Sequence, residues 1–210
     1  MDYNEETTKS FDASAGRYAE MYFGLRDYDA QYDAFLRTLP SDDFSFLDLA
    51  CGPGSVAAYI RARRPSASIV CADRSPAMLA EAAARVPNVS IVQVDCRDLG
   101  AIDEQFHGVA FCFGMNYLDD DDAGRTLSQV RSKLRDRGSL LLASVARDAR
   151  ETVVHCTADG GRVLHFSRTP ETIVDMVVRA GFDVLSCSTI PSPEHAAVRT
   201  TDVVLVARRT

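Results

Sequence analysis

The sequence predicts an α/β fold, a three-layer sandwich with a seven-stranded, mostly parallel sheet and an antiparallel last strand, carrying an N-terminal helical cap and a β-hairpin lid after strand five. Three observations carry this. From Phe44 to Val145, short apolar runs alternate with stretches of helical spacing, the order of a parallel sheet covered on both faces. The pattern then changes, because Thr152 to Phe166 holds two alternating runs around Ala158-Asp159-Gly160-Gly161, a hairpin signal. Finally, the runs Phe182–Ile190 and Thr201–Ala207 are joined through Pro191-Ser192-Pro193-Glu194-His195 without a helix, so they are expected to be antiparallel neighbours. A chain of 210 residues is long enough to bury one such sheet. One domain over 1–210 is expected, with the cap at 1–40 and the core at 44–210.

The cap is read from Phe11, Tyr18, Tyr22, Phe23, Tyr28, Tyr32 and Phe35, which recur at roughly helical spacing and imply two helices. Five of the seven tyrosines fall in this opening stretch, a surface suited to lining a pocket as well as to core packing. The organising stretch follows at Leu47 to Ile60. Here an apolar strand containing Asp48 runs into Gly52-Pro53-Gly54, and Val56, Ala57 and Ile60 restart at helical spacing. Glycine removes the Cβ that would hold a ligand away from the backbone, and the helix N-terminus offers free N–H groups. A nucleoside-type cofactor fits this turn; so does a plain strand-to-helix connection without a ligand.

The neighbours favour the ligand. The first helix stops before Pro65, with Arg61, Arg63 and Arg64 read as a solvated end. Ser68 to Ala72 is the second strand, tipped by Asp73 about twenty residues past the glycines, where a carboxylate meets ribose hydroxyls. Ser75-Pro76 already supplies the cap of the next helix, which frees Asp73 from that role. Val89 to Val94 is the third strand and ends in Asp95-Cys96, placed to meet an adenine amino group through the carboxylate and the Cys96 N–H. Phe106 to Phe113 is the fourth strand. Asp119 to Asp122 are read as a solvated helix start without a metal, Gly138 as the turn that ends this helix, and Ser139 to Val145 as strand five.

Composition narrows the partners. The chain is 46% hydrophobic and 25% charged, as in ordinary globular proteins, and no apolar run reaches membrane-spanning length. The acidic, polar start is no signal peptide, which points to the cytoplasm. Net charge of −7 disfavours a phosphate-backbone surface and leaves a small molecule as the expected partner. Six cysteines without a C-x-x-C pair suggest reduced, buried thiols, with neither disulfides nor zinc.

Taken together, these features resemble the class I S-adenosylmethionine-dependent methyltransferases. The likeness runs from about Phe44 to Ala207 and rests on Leu47-Asp48-Leu49-Ala50-Cys51-Gly52-Pro53-Gly54, on Asp73, on Asp95-Cys96, on Gly138 and on the closing pair of strands. It implies a Rossmann-like core that binds S-adenosyl-L-methionine and releases S-adenosyl-L-homocysteine after methylating a small molecule. The implied cofactor residues are Asp48, Ala50, Cys51, Gly52 and Gly54 around the first loop, and Asp73, Arg74 and Met78 after strand two. Asp95 and Cys96 follow strand three, with Phe113 and Gly114 beside the cofactor's methionine part. Two positions depart from the pattern: Ala50 replaces the loop's first glycine, and His107 replaces an aspartate at the start of strand four.

Two other functions fit parts of the pattern. Gly52-x-Gly54-x-x-Ala57 also matches a nicotinamide dinucleotide fingerprint, but the chain spends its C-terminus on antiparallel strands instead of a second binding half. A cofactor-binding protein without catalysis would keep the same residues. For an enzyme, Asn116, Tyr117, Tyr18, Tyr22 and the 152–166 hairpin share the rim of the sheet, so Tyr18, Tyr22, Tyr117 and His165 are the catalytic candidates. His155 and His165 face each other if the hairpin loop is Asp159-Gly160-Gly161 and are offset otherwise; without a third ligand they make no zinc site. The acceptor and the oligomeric state are not readable from the sequence.

Overall fold

The computed structural model describes residues 3–156, 161–192 and 200–210. Two helices open the chain, α1 (Tyr3–Tyr22) and α2 (Asp29–Leu36). The alternating region follows as β1 (Ser45–Leu49), α3 (Ser55–Arg63), β2 (Ser68–Asp73), α4 (Pro76–Arg85), β3 (Ser90–Gln93), β4 (Phe106–Cys112), α5 (Asp120–Lys133) and β5 (Leu134–Ala146). A 3₁₀ turn, Gly114–Tyr117, leaves β4. The hairpin is β6 (Glu151–Cys156) and β7 (Arg162–Ser167), and the chain closes with α6 (Pro170–Arg179), β8 (Phe182–Pro191) and β9 (Thr201–Arg209).

The main sheet has the order β3-β2-β1-β4-β5-β9-β8. The pairs among β1 to β5 are parallel, whereas β9 is antiparallel to both β5 and β8. The expected seven-stranded sheet with a reversed last strand is therefore present, and so is the separate hairpin. Both faces of the inner strands β1, β2, β4, β5 and β9 are largely buried, which is why they read as nearly continuous apolar runs, whereas the edge strands β3 and β8 are mostly exposed. Leu47, Leu49, Val109, Phe111, Leu140 and Leu142 pack on one face with Leu127 and Val130 of α5 and Ile173 and Val177 of α6. Phe46, Ile69, Cys71, Ala110, Leu141 and Val204 pack on the other with Phe35 of α2, Ile60 of α3 and Leu79 of α4. Asp48 lies between Leu47 and Leu49 and is only 2% exposed, a carboxyl set into an otherwise apolar strand.

Helix starts obey local rules. Ser75, Asp119 and Thr169 each cap a helix by accepting the N–H three residues on. The hairpin reaches back to α1: Ser10 Oγ donates to Arg162 O at 3.3 Å, and the Tyr3 and Phe166 rings meet edge on at 5.5 Å. The cap and the hairpin thus stand together over the rim where the parallel strands end.

Four expectations are corrected. Helix α5 does not turn out on Gly138; it ends at Lys133, the left-handed residue is Arg137 (φ 59°), and Gly138 lies within β5. A Cβ at Gly138 would come within 2.9 Å of Arg135 O, so close backbone approach explains this glycine. The acid run is not simply solvated. Asp122 is buried, with Arg97 and Arg125 on its carboxylate, and Asp120 pairs with Arg168 and Arg150. Nor is the α3 end only a solvated cluster, because Arg61 donates to Pro65 O, Ala67 O and Asn88 O, and Arg63 stacks on Tyr59 at 3.4 Å. Among the cysteines, Cys156 and Cys187 are exposed.

Of the two arrangements open to the hairpin histidines, the offset one occurs. His155 is opposite Val163 and His165 opposite Val153, on one face, with rings 5.7 Å apart. Ala158-Asp159-Gly160 and Pro193-Glu194-His195 lie outside the described residues. Among the described residues no helix is long and apolar enough to cross a membrane.

Candidate active site

The loop after β1 turns through three left-handed residues, Ala50 (φ 52°), Gly52 (φ 52°) and Gly54 (φ 85°). Each serves a different purpose. A Cβ on Gly52 would meet nothing nearer than Tyr18 Cε1 at 4.0 Å, so bare backbone faces open space there. A Cβ on Gly54 would lie 2.9 Å from Val86 Cγ2, which assigns this glycine to the packing of α3 on α4; it lines neither of the two cavities described below. Ala50 holds a conformation that costs an L-residue roughly 1–2 kcal/mol.

Three acids stand at the strand tips. Asp48 accepts Ala57 N–H at 2.9 Å, and burial pushes its carboxyl up to about 8. Asp73 accepts Gly52 N–H on one oxygen and Ser75 N–H on the other, both at 2.9 Å; burial still raises its pKa against these bonds. Asp95 goes the other way. Burial raises it, but hydrogen bonds from Arg97, with Nη2 at 2.7 Å, and the charge of Arg74 at 3.4 Å bring the net shift below the usual carboxylate range.

Two cavities adjoin along this rim. The smaller, about 120 Å³, is lined by Asp73, Arg74, Met78, Asp95, Cys96 and Gly114, with Asn4, Thr7 and Thr8 of α1 above them. The larger, about 420 Å³, is walled by tyrosines 18, 22, 28, 32 and 117, by His155 and His165 of the hairpin, and by Asp48, Cys51 and Asn116. Both touch Phe11, Tyr18, Ala50, Gly52, Cys112, Phe113 and Tyr117, so these seven residues form the wall where the two spaces meet. All four catalytic candidates and all but one of the cofactor candidates lie on one cavity or the other; Gly54 is the exception. Asn116 is committed to structure, with its amide bonded to Val145 O and N at 3.0 Å.

The sequence reading missed four residues. Arg97 grips Asp95, and Arg168 is 1% exposed yet donates to Leu118 O at 2.6 Å and Met115 O at 3.1 Å, fixing the 3₁₀ turn. Asp202 and Arg147 line the larger cavity. Asp202 carried a usable signal, since, like Asp48, it is a lone acid in an apolar strand run.

Burial raises the pKa of Tyr18 and Tyr22, and pushes Tyr117 up to about 12, so all three remain phenols near neutral pH. Burial and the neighbouring His155 push His165 down to about 4, leaving a neutral imidazole. Such a site can hold and shield an acceptor, and the neutral His165 imidazole stands on its wall.

Comparison with known proteins places these features in a family context. Residues 46–138 match the family model described as a methyltransferase domain. A trans-aconitate 2-methyltransferase of Methylobacterium nodulans is 40% identical over 88 residues, 36% of this chain and 34% of that protein. The chain thus aligns with about a third of that relative's length. Among solved structures, the 1,6-didemethyltoxoflavin-N1-methyltransferase of Burkholderia thailandensis, bound to 1,6-didemethyltoxoflavin and S-adenosylhomocysteine, superposes with a TM-score of 0.78 at 16% identity, covering 100% of this chain and 89% of that one. A complex of DhpI with S-adenosylhomocysteine gives 0.74 at 22% identity, covering 98% and 96%. Over residues 46–138 this chain is similar to a methyltransferase domain, and it shares the fold of these S-adenosylhomocysteine-bound methyltransferases.

Proposed function

We propose that the chain transfers a methyl group from S-adenosyl-L-methionine to a small-molecule acceptor. The observation that carries this reading is the shared wall: an acid-tipped cavity and an aromatic cavity meet at a set of residues that includes Phe11, Tyr18, Ala50, Gly52, Phe113 and Tyr117. The residues present fit the donor. Gly52 offers uncovered backbone, and the Asp73 oxygens, on which the N–H groups of Gly52, Ser75 and Arg74 bear, keep acceptor capacity for ribose hydroxyls. Asp48 is a buried carboxyl suited to the cationic amino-acid end. Asp95 is held by Arg97, so it offers the adenine amino group only its remaining acceptor capacity.

When bound, the donor supplies an electrophilic methyl group on a sulfonium. What the chain supplies is position and dryness: α1 and the hairpin cover the rim, the tyrosines hold an acceptor in line, and neutral His165 is available to take a proton. A relative named for trans-aconitate and a structural neighbour bound to 1,6-didemethyltoxoflavin support small molecules as the substrate class to test first. The cytoplasm is the proposed compartment.

Calorimetric titration with S-adenosylhomocysteine, followed by incubation with methyl-labelled donor and an acceptor library, tests this. Saturable binding and labelled product are expected. Absence of binding removes the reading; binding with no transfer to any acceptor leaves a cofactor-binding protein instead.

A further inference from the structure

The larger cavity contains an acid that no step of methyl transfer uses. Asp202 stands at the start of β9, opposite Val145 on β5 and Ile190 on β8, and is 2% exposed. Its Oδ2 accepts the Tyr28 hydroxyl at 2.6 Å, and its Oδ1 is buried with no hydrogen-bond partner among the described residues. An orphaned buried acceptor is costly to keep, so a residue in this state within a cavity calls for a ligand donor. Burial raises the pKa of this carboxyl against the Tyr28 hydrogen bond, and the charge of Asp27 adds to the rise.

The rest of the wall limits what that donor belongs to. The tyrosines make the wall of the cavity aromatic. The one cation on its wall among the described residues, Arg147, already pairs with Glu151 at 2.8 Å, while its Nε is buried without a partner. With Asp48 and Asp202 on the same wall, a polycarboxylate would meet two carboxyls and one neutralised guanidinium. An uncharged molecule with N–H on one edge and carbonyl on another meets complementary groups on both.

We propose that Asp202 selects the acceptor, its free oxygen taking an N–H of a flat, uncharged heteroaromatic lactam or imide held between the tyrosine walls. The inference rests on the methyltransferase reading and sharpens it. Arg147 Nε is the matching donor for the acceptor's carbonyl.

The test uses the full chain saturated with S-adenosylhomocysteine, titrated with quinazoline-2,4-dione, its 1,3-dimethyl derivative and trans-aconitate. The imide is expected to bind at least tenfold more tightly than the dimethyl compound, and trans-aconitate more weakly than the imide. In Asp202→Asn, an amide N–H replaces one acceptor, so the preference ratio is expected to fall to about one while affinity for S-adenosylhomocysteine changes less than twofold. A purely structural role would weaken both probes alike and leave the ratio standing. Equal binding of the two probes by the unmodified chain, no binding of the imide, tighter binding of trans-aconitate, or an unchanged ratio in the variant overturns the proposal. The comparison in the unmodified chain decides even where the variant fails to fold. Failure to bind S-adenosylhomocysteine at all would remove the methyltransferase reading as well, whereas cofactor binding without the N–H preference removes this inference alone.

Discussion

Asp73 Oδ2 accepts the backbone N–H of Gly52 at 2.9 Å across 21 residues of sequence, tying the loop after β1 to the tip of β2. The proposed ribose ligand is therefore also a brace for the glycine turn. Asp73→Ala is expected to lower cofactor affinity by on the order of 1.5–3 kcal/mol, the range for a hydrogen bond to a charged group, and to lower Tm as well. Asp73→Asn keeps an acceptor for Gly52 and is expected to recover most of the Tm but little of the affinity. Calorimetry and thermal melts on the two variants separate the roles; full affinity in Asp73→Ala would take the residue out of the site.

Asp48 makes donor binding depend on pH. Burial raises its carboxyl to about 8 from an ordinary 3.8, with the charge of Asp73 adding to the effect. In the ligand-free chain it is protonated at pH 7, and a cationic donor favours the ionised form, so binding expels a proton. Affinity is expected to rise as pH increases from 6 to 8, by at most about tenfold per unit, and then to level off. For stability the sign is opposite: the folded pKa lies above the unfolded one, so the stabilisation is complete below pH 4 and is lost as pH rises to 8. Asp48→Asn should flatten both slopes. Calorimetry in buffers of different ionisation enthalpy checks the proton; equal slopes in both proteins would assign it elsewhere.

How much of this was legible follows from where each signal resides. Strands buried on both faces announce themselves as apolar runs, and caps such as Ser75 and Thr169 are local, so the order of elements and the sheet topology could be read. Tyr18, Tyr22, Tyr117 and His165 could be placed on one rim because topology brings strand ends and the cap together. Pairings between distant residues left no such trace. Tyr28 and Asp202 are 174 positions apart, and Arg168 meets the carbonyl of Leu118 from 50 positions away. Arg97, two residues from Asp95, was close enough to suspect, but its grip depends on the turn that folds it back. Gly138 misled because a glycine beyond a helix usually marks its end, whereas here the carbonyls of Arg135 and, on β4, His107 leave no room for a Cβ.

Ala50 and Gly114 form a coupled pair at the junction of the cavities. A Cβ built on Gly114 would lie 2.7 Å from the Ala50 Cβ and 2.5 Å from Phe111 Cε2. Gly114→Ala is thus expected to destabilise the chain by about 1–3 kcal/mol through overpacking. Ala50→Gly releases a left-handed residue but loosens the unfolded chain, and a net change within about 1 kcal/mol is expected. In the double variant the Ala50 clash is gone and the Phe111 clash remains, so the cost of Gly114→Ala should be partly relieved. Denaturant titrations on the four proteins measure the coupling, and strict additivity would show that the two sites relax independently.

His165 decides whether the chain needs a base. Its imidazole rests edge on against Tyr117 at 6.0 Å and against His155 at 5.7 Å, and its pKa near 4 keeps it neutral across the working range. A group so far below operating pH is a weak proton acceptor, and general base catalysis is most effective when pKa and pH nearly match. Transfer governed by positioning then predicts that His165→Asn and Tyr117→Phe each lower kcat/KM by less than about 100-fold, below the usual 10²–10⁴-fold contribution of a general base. It also predicts no inflection in kcat between pH 5.5 and 8 arising from His165, since an imidazole neutral above pH 4 has no titration left there. A loss beyond 100-fold in His165→Asn, together with a rate rising in proportion to hydroxide through an inflection near pH 6–7 that the variant lacks, would mean that the bound donor and acceptor return the imidazole to an ordinary pKa and that it removes the acceptor's proton.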